Sequence, residues 1–198
     1  RAARWAFLEP VSAALGAVGV VTAHHADDQA ETVLHHVARG TGLRGLQGMS
    51  RRGMGRLRPL LDQPGEAVRA YAATRGLSWR DDPTNADPSY TRNRLRHEVL
   101  PALETAVPGT RDALVRLARV ARREEGALAE AVAVILETVV RERRGDATAL
   151  DRTALLAFGS PLRGRLLRAA ARELGGRLDA TGTRAALAFT SGAGSGSE

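Results

Sequence analysis

The junction at residues 18–32 constrains the fold of this chain most. A short β-branched run, Val18-Gly-Val-Val-Thr-Ala23, passes directly into His24-His25-Ala26-Asp27-Asp28-Gln29-Ala30-Glu31-Thr32. An apolar run without polar alternation reads as a buried strand of a parallel sheet. The polar cluster then opens a helix expected over about 28–39, with Val33, Leu34 and Val37 on its apolar side. Upstream, Ala3, Phe7, Leu8, Val11 and Leu15 keep a helical spacing that stops at Gly16. Helix, strand, polar turn, helix is one unit of an α/β layered fold.

Downstream, glycines punctuate Gly40-Thr-Gly-Leu-Arg-Gly-Leu-Gln-Gly48. Their backbone amides could cradle a phosphate, or the glycines could simply end a helix and make tight turns. A short strand is expected at 58–62 and a helix at 66–74, closed by Arg75 and Gly76. The dense turn formers of Asp81-Asp-Pro-Thr-Asn-Ala-Asp-Pro88 predict a loop. That loop delivers Thr91-Arg-Asn-Arg-Leu-Arg-His97, the start of a helix running toward Leu100. From Arg111 onward Leu114, Leu117, Val120, Leu128, Val132, Ile135, Leu136 and Val139 hold a helical period, and a further helix is expected over 161–174. A domain boundary is therefore expected within 101–110. It separates an α/β part, 1–105, from an all-helical part, 106–189, with a small polar tail at 190–198 that should be disordered.

Charge indicates the partners. There are 29 basic and 22 acidic side chains, a formal net charge of +7, and every basic residue is Arg. A positive surface favours polyanions without reading their sequence. The all-Arg usage suits bidentate phosphate recognition, but beside abundant Ala and Gly it follows as readily from a GC-rich coding bias. The absence of Cys excludes disulfides, cysteine-bound zinc and thiolate nucleophiles in this sequence. No apolar run approaches the roughly 20 residues that span a bilayer, and no signal-peptide pattern is present. A cytoplasmic protein without a membrane partner is expected. The sequence lacks an initiator Met, so it is expected to start inside a longer protein.

Two His, two Asp and a Glu within 24–31 exceed what a helix start requires. Asp27 or Asp28 is placed to cap the helix, with Glu31 near its first turn. Ligands of open α/β sheets bind beyond the carboxyl ends of strands, where this cluster falls. Two chemistries fit it: a divalent-metal site built from imidazole and carboxylate, and a nucleotide site in which acids hold Mg²⁺ or a substrate amine. Residue types alone do not separate them. Arg92, Arg94 and Arg96, interleaved with Asn93 and His97, form a third signal, with Arg92 and Arg96 one turn apart on a helix face. Such a cluster is either a solvated face or a phosphate site delivered by a loop.

The chain resembles the tRNA(Ile)-lysidine synthetase family of PP-loop ATP pyrophosphatases. The resemblance rests on five runs in order: Thr22-Ala-His-His-Ala-Asp-Asp-Gln-Ala-Glu-Thr32, Arg39-Gly-Thr-Gly-Leu-Arg-Gly-Leu-Gln-Gly-Met49, Arg58-Pro-Leu-Leu-Asp62, Trp79-Arg-Asp-Asp-Pro-Thr-Asn-Ala-Asp87 and Tyr90-Thr-Arg-Asn-Arg-Leu-Arg-His97. It covers about 1–101; beyond that only helical character agrees. It implies a parallel-sheet α/β domain of the adenine-nucleotide α-hydrolase-like fold, followed by a helical tRNA-contacting domain. It further implies ATP, Mg²⁺, free lysine and a tRNA(Ile) with a CAU anticodon, and leaves a homodimer open. The implied reaction has two steps. ATP adenylates the C2 oxygen of the wobble cytidine with release of pyrophosphate, and the lysine side-chain amine then attacks C2 and displaces AMP.

Carried onto this sequence, the resemblance implies Asp28, Glu31 and Arg94 as catalytic residues, with Asp28 and Glu31 suited to Mg²⁺ or the lysine ammonium and Asp28 as the metal position. It implies His24, His25 and Asp27 at the nucleotide, and Arg92, Asn93 and Arg96 at tRNA or phosphate. The family's Ser-Gly-Gly-x-Asp-Ser loop does not occur in this sequence. The resemblance implies that this loop lies upstream of residue 1, that the domain is N-terminally incomplete, and that this chain alone neither binds ATP tightly nor ligates lysine. Three rival readings stand beside it: a related tRNA thiolase, disfavoured by the absence of Cys; a metal-dependent phosphoesterase or deacetylase built on His24, His25, Asp27 and Asp28; and a basic RNA-binding module whose acidic motif merely caps a helix.

Overall fold

Helix α1 (Ala2–Ala14) leads into strand β1 (Val20–Val21), and helix α2 (Ala26–Ala38) follows directly. A single turn, α3 (Leu43–Leu46), precedes two short strands, β2 (Arg52–Gly53) and β3 (Arg56–Leu57). β1 pairs in parallel with β3, Val20 opposite Arg56 and Val21 opposite Leu57, while β2 pairs antiparallel with β3. The computed structural model describes residues 2–53, 55–80 and 82–192. The contacts divide the chain into two compact units, Arg1–Glu124 and Glu125–Glu198.

The strand–turn–helix unit is present, with three corrections. β1 is two residues long and not buried: Val18 is 91% and Val21 62% exposed. α1 forms as its spacing requires, yet Phe7 and Leu15 on its apolar stripe lie exposed. The strand expected at 58–62 falls instead at Arg56–Leu57. There the Arg58 N–H still donates to Arg51 O at 2.8 Å, and Pro59, which has no N–H, ends the ladder. The core of this part gathers on α2, where Ala30 and Val33 are fully buried, and on Leu61, Leu95 and Leu100.

Helix α4 (Gly65–Thr74) follows, then the segment expected to be a loop, which folds into one 3-10 turn at Pro83–Ala86. Asp82 starts that turn, its Oδ1 accepting the Thr84 N–H at 3.0 Å. The arginine helix runs as α5 (Thr91–Arg94), one π turn (Leu95–Val99) and α6 (Leu100–Ala106). The Glu104 carboxylate joins α6 to the next helix, accepting the backbone N–H groups of Gly109 at 2.6 Å and Arg111 at 3.0 Å.

Helix α7 (Thr110–Val139) realises the long apolar period. In its first half the buried positions are Ala118 and Ala121, whereas Leu117 and Val120 are partly exposed. The two compact units divide within this helix rather than at 101–110. In the second unit Val132, Leu136 and Val139 pack with Leu155, Leu166 and Ala170. This region is not all-helical. A hairpin of β4 (Val140–Arg144) and β5 (Ala147–Leu150) precedes α8 (Arg152–Leu156), α9 (Ser160–Glu173) and α10 (Ala180–Thr190). The helix-forming Glu and Arg of β4 mask its strand character, and Gly145, at φ +39°, turns the chain. Thr190, expected in the disordered tail, ends α10 and is buried, its C=O accepting from Arg152 Nε at 2.8 Å. The remainder of that tail, 193–198, lies outside the described residues. Among the described residues no helix is long and apolar enough to cross a membrane.

The N–H groups of Arg111 and Gly109 hold the Glu104 carboxyl below its ordinary pKa. A depressed carboxylate contributes stability that is complete above its unfolded pKa and is lost as pH falls through the folded value. Glu104→Gln should therefore lower urea stability at neutral pH, with the difference from the parent closing below about pH 4. A difference that persists unchanged at about pH 3 would contradict this account of the bend.

Candidate active site

The site grows from the start of α2. His25 is the N-cap, not Asp27 or Asp28 as the sequence suggests. Its backbone N–H donates to Asp28 Oδ2 at 3.0 Å, so Asp28 closes the helix start from the third position. One and two turns into α2, Asp28 and Glu31 are 7% and 2% exposed. Burying two carboxylates is costly unless the charge is compensated and the oxygens hydrogen-bonded.

Compensation comes from the arginine helix. Arg92 Nε donates to Glu31 Oε2 at 2.9 Å, and its Nη2 to Asp28 Oδ1 at 2.8 Å. Arg96 Nε donates to Glu31 Oε1 at 2.5 Å, and its Nη2 reaches Asp28 Oδ1 at 2.8 Å and Glu31 Oε2 at 3.0 Å. The acids are three residues apart on α2 and the arginines four apart across α5 and the π turn. Each pair therefore shares a helix face, and the two faces meet. Burial opposes the charged Arg96 guanidinium, but hydrogen bonds and charges from Glu31 and Asp28 outweigh it and raise its pKa.

Next to this quartet lies a cavity of about 310 Å³ whose wall includes His24, His36, Arg56, Arg58, Arg92 and the backbone at Gly48. It sits where β1 and β3 end, the side on which open α/β sheets bind ligands. His24 Nδ1 is hydrogen-bonded to Thr22 Oγ1 at 2.7 Å, and His36 Nδ1 lies 2.7 Å from Gly45 O. One rim is the loop 47–49, clamped from two sides. Gln29 accepts the Met49 N–H at 2.7 Å and donates to Gln47 O and Met49 O, while Arg122 donates to the same two carbonyls. Gly48, at φ +58°, is required there: a Cβ would stand 2.6 Å from Gln29 Oε1. The glycine loop is thus a fixed rim rather than a free turn.

The expected residues separate into groups. Asp28, Glu31, Arg92 and Arg96 come together, and His24 faces the cavity. His25 and Asp27 pack instead against the start of α4, where a Cβ on Gly65 would lie 2.5 Å from Asp27 Oδ2 and 2.8 Å from His25 Cε1. Asn93 is engaged in architecture, its Nδ2 donating to Thr84 O at 2.7 Å and Asp87 O at 2.8 Å. Arg94 is exposed, and its side chain makes no hydrogen bond or ion pair among the described residues. The metal role expected for Asp28 gains no support, because guanidinium and backbone N–H groups already occupy both its oxygens. Among the described residues no three His, Asp or Glu side chains converge as a metal-ligating group. Sequence reasoning missed Arg56, Arg58, His36, Gln29 and Arg122. Arg56 and Arg58 alternate across Leu57, the period that puts two strand side chains on one face.

A family model described as a PP-loop domain matches residues 1–103, and the chain belongs to this family. Curated relatives point further. The tRNA(Ile)-lysidine synthase of Salinispora tropica is 46% identical over 182 residues, covering 89% of this chain and 54% of that protein. The enzyme of that name from Streptomyces coelicolor is 44% identical over 179 residues, 88% of this chain and 50% of that protein. That of Thermus thermophilus is 46% identical over 132 residues, 65% of this chain and 25% of that protein. The chain thus spans about half the length of the first two relatives.

Removing Arg96 leaves two buried carboxylates to share Arg92 alone, at a cost of about 1–3 kcal/mol. Arg96→Ala should lower unfolding free energy in urea by about that amount, while Arg94→Ala changes it by less than about 0.5 kcal/mol. Equal, small losses for both variants would show that the quartet does not hold α2 to the arginine helix.

Proposed function

We propose that this chain forms part of an ATP-dependent ligase that joins lysine to C2 of the wobble cytidine of tRNA(Ile), through an adenylated tRNA intermediate, in the cytoplasm. The observation that carries this reading is the pair of buried carboxylates, Asp28 and Glu31, held by Arg92 and Arg96 beside a basic cavity at the ends of β1 and β3. Relatives named tRNA(Ile)-lysidine synthase at 44–46% identity support it. Such a ligase must neutralise phosphate charge and hold an amine for attack.

The cavity suits the first task. His24 is assigned to the nucleotide, with His25 and Asp27 behind it fixing the start of α2. ATP supplies the adenylyl group, and the arginines of the wall neutralise its phosphate charge. Asp28 is not an open ligand for Mg²⁺, because N–H groups of His25, Arg92 and Arg96 occupy both its oxygens. The quartet suits the second task. Asp28 and Glu31 already bind two cations, so a lysine ammonium entering there exchanges one positive charge for another rather than burying a new one. Arg92 or Arg96, displaced from the acids, becomes available to a phosphate. Exposed Arg94 is assigned to the reacting tRNA, and Asn93 keeps the 84–87 turn in place beside it. The basic helices of 106–189 are assigned to the rest of the tRNA, whose anticodon is CAU.

The test is lysine transfer by the full-length protein that carries these residues, with tRNA(Ile), ATP and labelled lysine. Asp28→Ala and Glu31→Ala should abolish transfer. Glu31→Gln should retain formation of adenylated tRNA yet lose lysine addition, since it keeps the side chain's size and an acceptor oxygen for the arginines while removing the charge that holds the amine. Near-normal lysine transfer by Glu31→Gln would sink the amine assignment, and failure of the parent protein on this tRNA would sink the ligase reading.

A further inference from the structure

The arginine helix has a second face that the reading above does not use. Arg92 and Arg96 turn to the buried carboxylates, whereas Asn93 and His97, each one position further on, turn to the 83–88 segment. Between that segment and the helix lies a cavity of about 150 Å³ lined by Ala86, Pro88, Asn93, His97 and Glu98. An apolar cavity of about that volume accommodates one six-membered ring. The state of its polar wall follows from the partners. Asn93 donates both amide hydrogens to carbonyl oxygens, Thr84 O at 2.7 Å and Asp87 O at 2.8 Å, which leaves its Oδ1 as an acceptor. His97 Nε2 lies 3.0 Å from Asn85 O, an oxygen that can only accept. Nε2 therefore carries the hydrogen, and the neutral ring keeps Nδ1 as an acceptor. The Glu98 side chain is exposed and makes no hydrogen bond or ion pair among the described residues. Arg94 precedes it by four positions, a spacing at which opposite charges on a helix commonly pair, yet the two stay apart. Every open polar side-chain atom of this wall thus accepts a hydrogen bond, and one of its groups is an anion.

We propose that this cavity takes one unpaired cytosine of an RNA, with Glu98 reading its 4-amino group. A pyrimidine ring matches the volume, and its amino hydrogens suit a wall made only of acceptors. Carboxylates are a regular acceptor for cytosine N4, whereas uracil presents an oxygen at that position and is repelled. Unpaired bases are recognised on these edges and stacked on aromatic side chains. Tyr90, three positions before Asn93, leaves 57% of its surface exposed for such a contact, and Arg94 offers a cation on the same turn for the attached phosphate. The inference rests on the reading that tRNA is the substrate, and it makes Glu98 a specificity-determining residue.

The test is titration of the full-length protein that carries these residues with short oligocytidylate and oligouridylate. The parent should prefer oligocytidylate about tenfold, the discrimination of one good base contact. Glu98→Gln should bring the two within about twofold, because its amide donates to uracil O4 as well as its oxygen accepts from cytosine N4. Glu98→Asp keeps the carboxylate and should retain a preference for cytosine. Glu66→Gln removes an exposed charge from α4 and should leave the ratio unchanged. Were Glu98 only a surface charge, Glu98→Gln would tighten both oligonucleotides alike at an unchanged ratio. That result, or a parent without cytosine preference, overturns the proposal. A tRNA(Ile) with uridine at the wobble position locates the base. Weaker binding of Glu98→Gln to the natural tRNA alone makes it the wobble cytidine, and weaker binding to both tRNAs places it elsewhere in the tRNA. Absence of lysine transfer beside a cytosine preference that depends on Glu98 would count against the ligase reading alone.

Discussion

Two buried carboxylates set the terms for the first unit. Asp28 and Glu31 are buried in α2 and need cations to answer them, and the answer had to come from another part of the chain. Arg92 and Arg96 supply it, and in doing so they pin α5 and the π turn to α2. The π turn at Leu95–Val99 falls on the segment that carries Arg96, and single π turns inside helices frequently mark function. Everything nearby follows from this junction. The 84–87 turn is held to α5 by Asn93, and Leu95 and Leu100 turn inward on the same helix.

A fully compensated cluster is a poor metal site and a good place to exchange cations. The same four residues that stabilise the junction are therefore the ones through which an incoming amine could act without the full cost of burying a charge. Binding and architecture are not separate here. A ligand that takes an acid from Arg92 or Arg96 also loosens the contact between two helices, and the freed guanidinium lies at the edge of a cavity already lined by Arg56 and Arg58. Glutamine and arginine from distant helices, Gln29 and Arg122, keep the opposite rim rigid by saturating the carbonyls of the 47–49 loop.

Much of this was legible in advance. The helices expected over about 2–16, over 66–74 and from 111 onward formed, the polar junction after β1 followed from residue types, and the family resemblance placed the acidic and arginine motifs in one site. Other readings failed for identifiable reasons. The β4–β5 hairpin was hidden because Arg and Glu carry helix propensity whatever the backbone does. Alanines proved to be the buried face of early α7, since close approach favours small side chains over large ones. Asn93 looked like a ligand because an amide in a basic cluster has no sequence mark that distinguishes clamp from contact.

By itself the sequence determined what depends on neighbours a few positions apart: the period of each helix, the alternation of Arg56 and Arg58, the glycine that a positive φ demands, and the excess of positive charge. Only the tertiary structure decided which charge answers which. The acids and arginines of the quartet lie 61 to 68 positions apart, and nothing local selects Arg92 and Arg96 over Arg94, which stands between them. Helix phase makes that choice, turning two arginines toward buried carboxylates and the third toward water. Ion-pair energies depend on distance and burial, which are properties of the folded chain and not of its order.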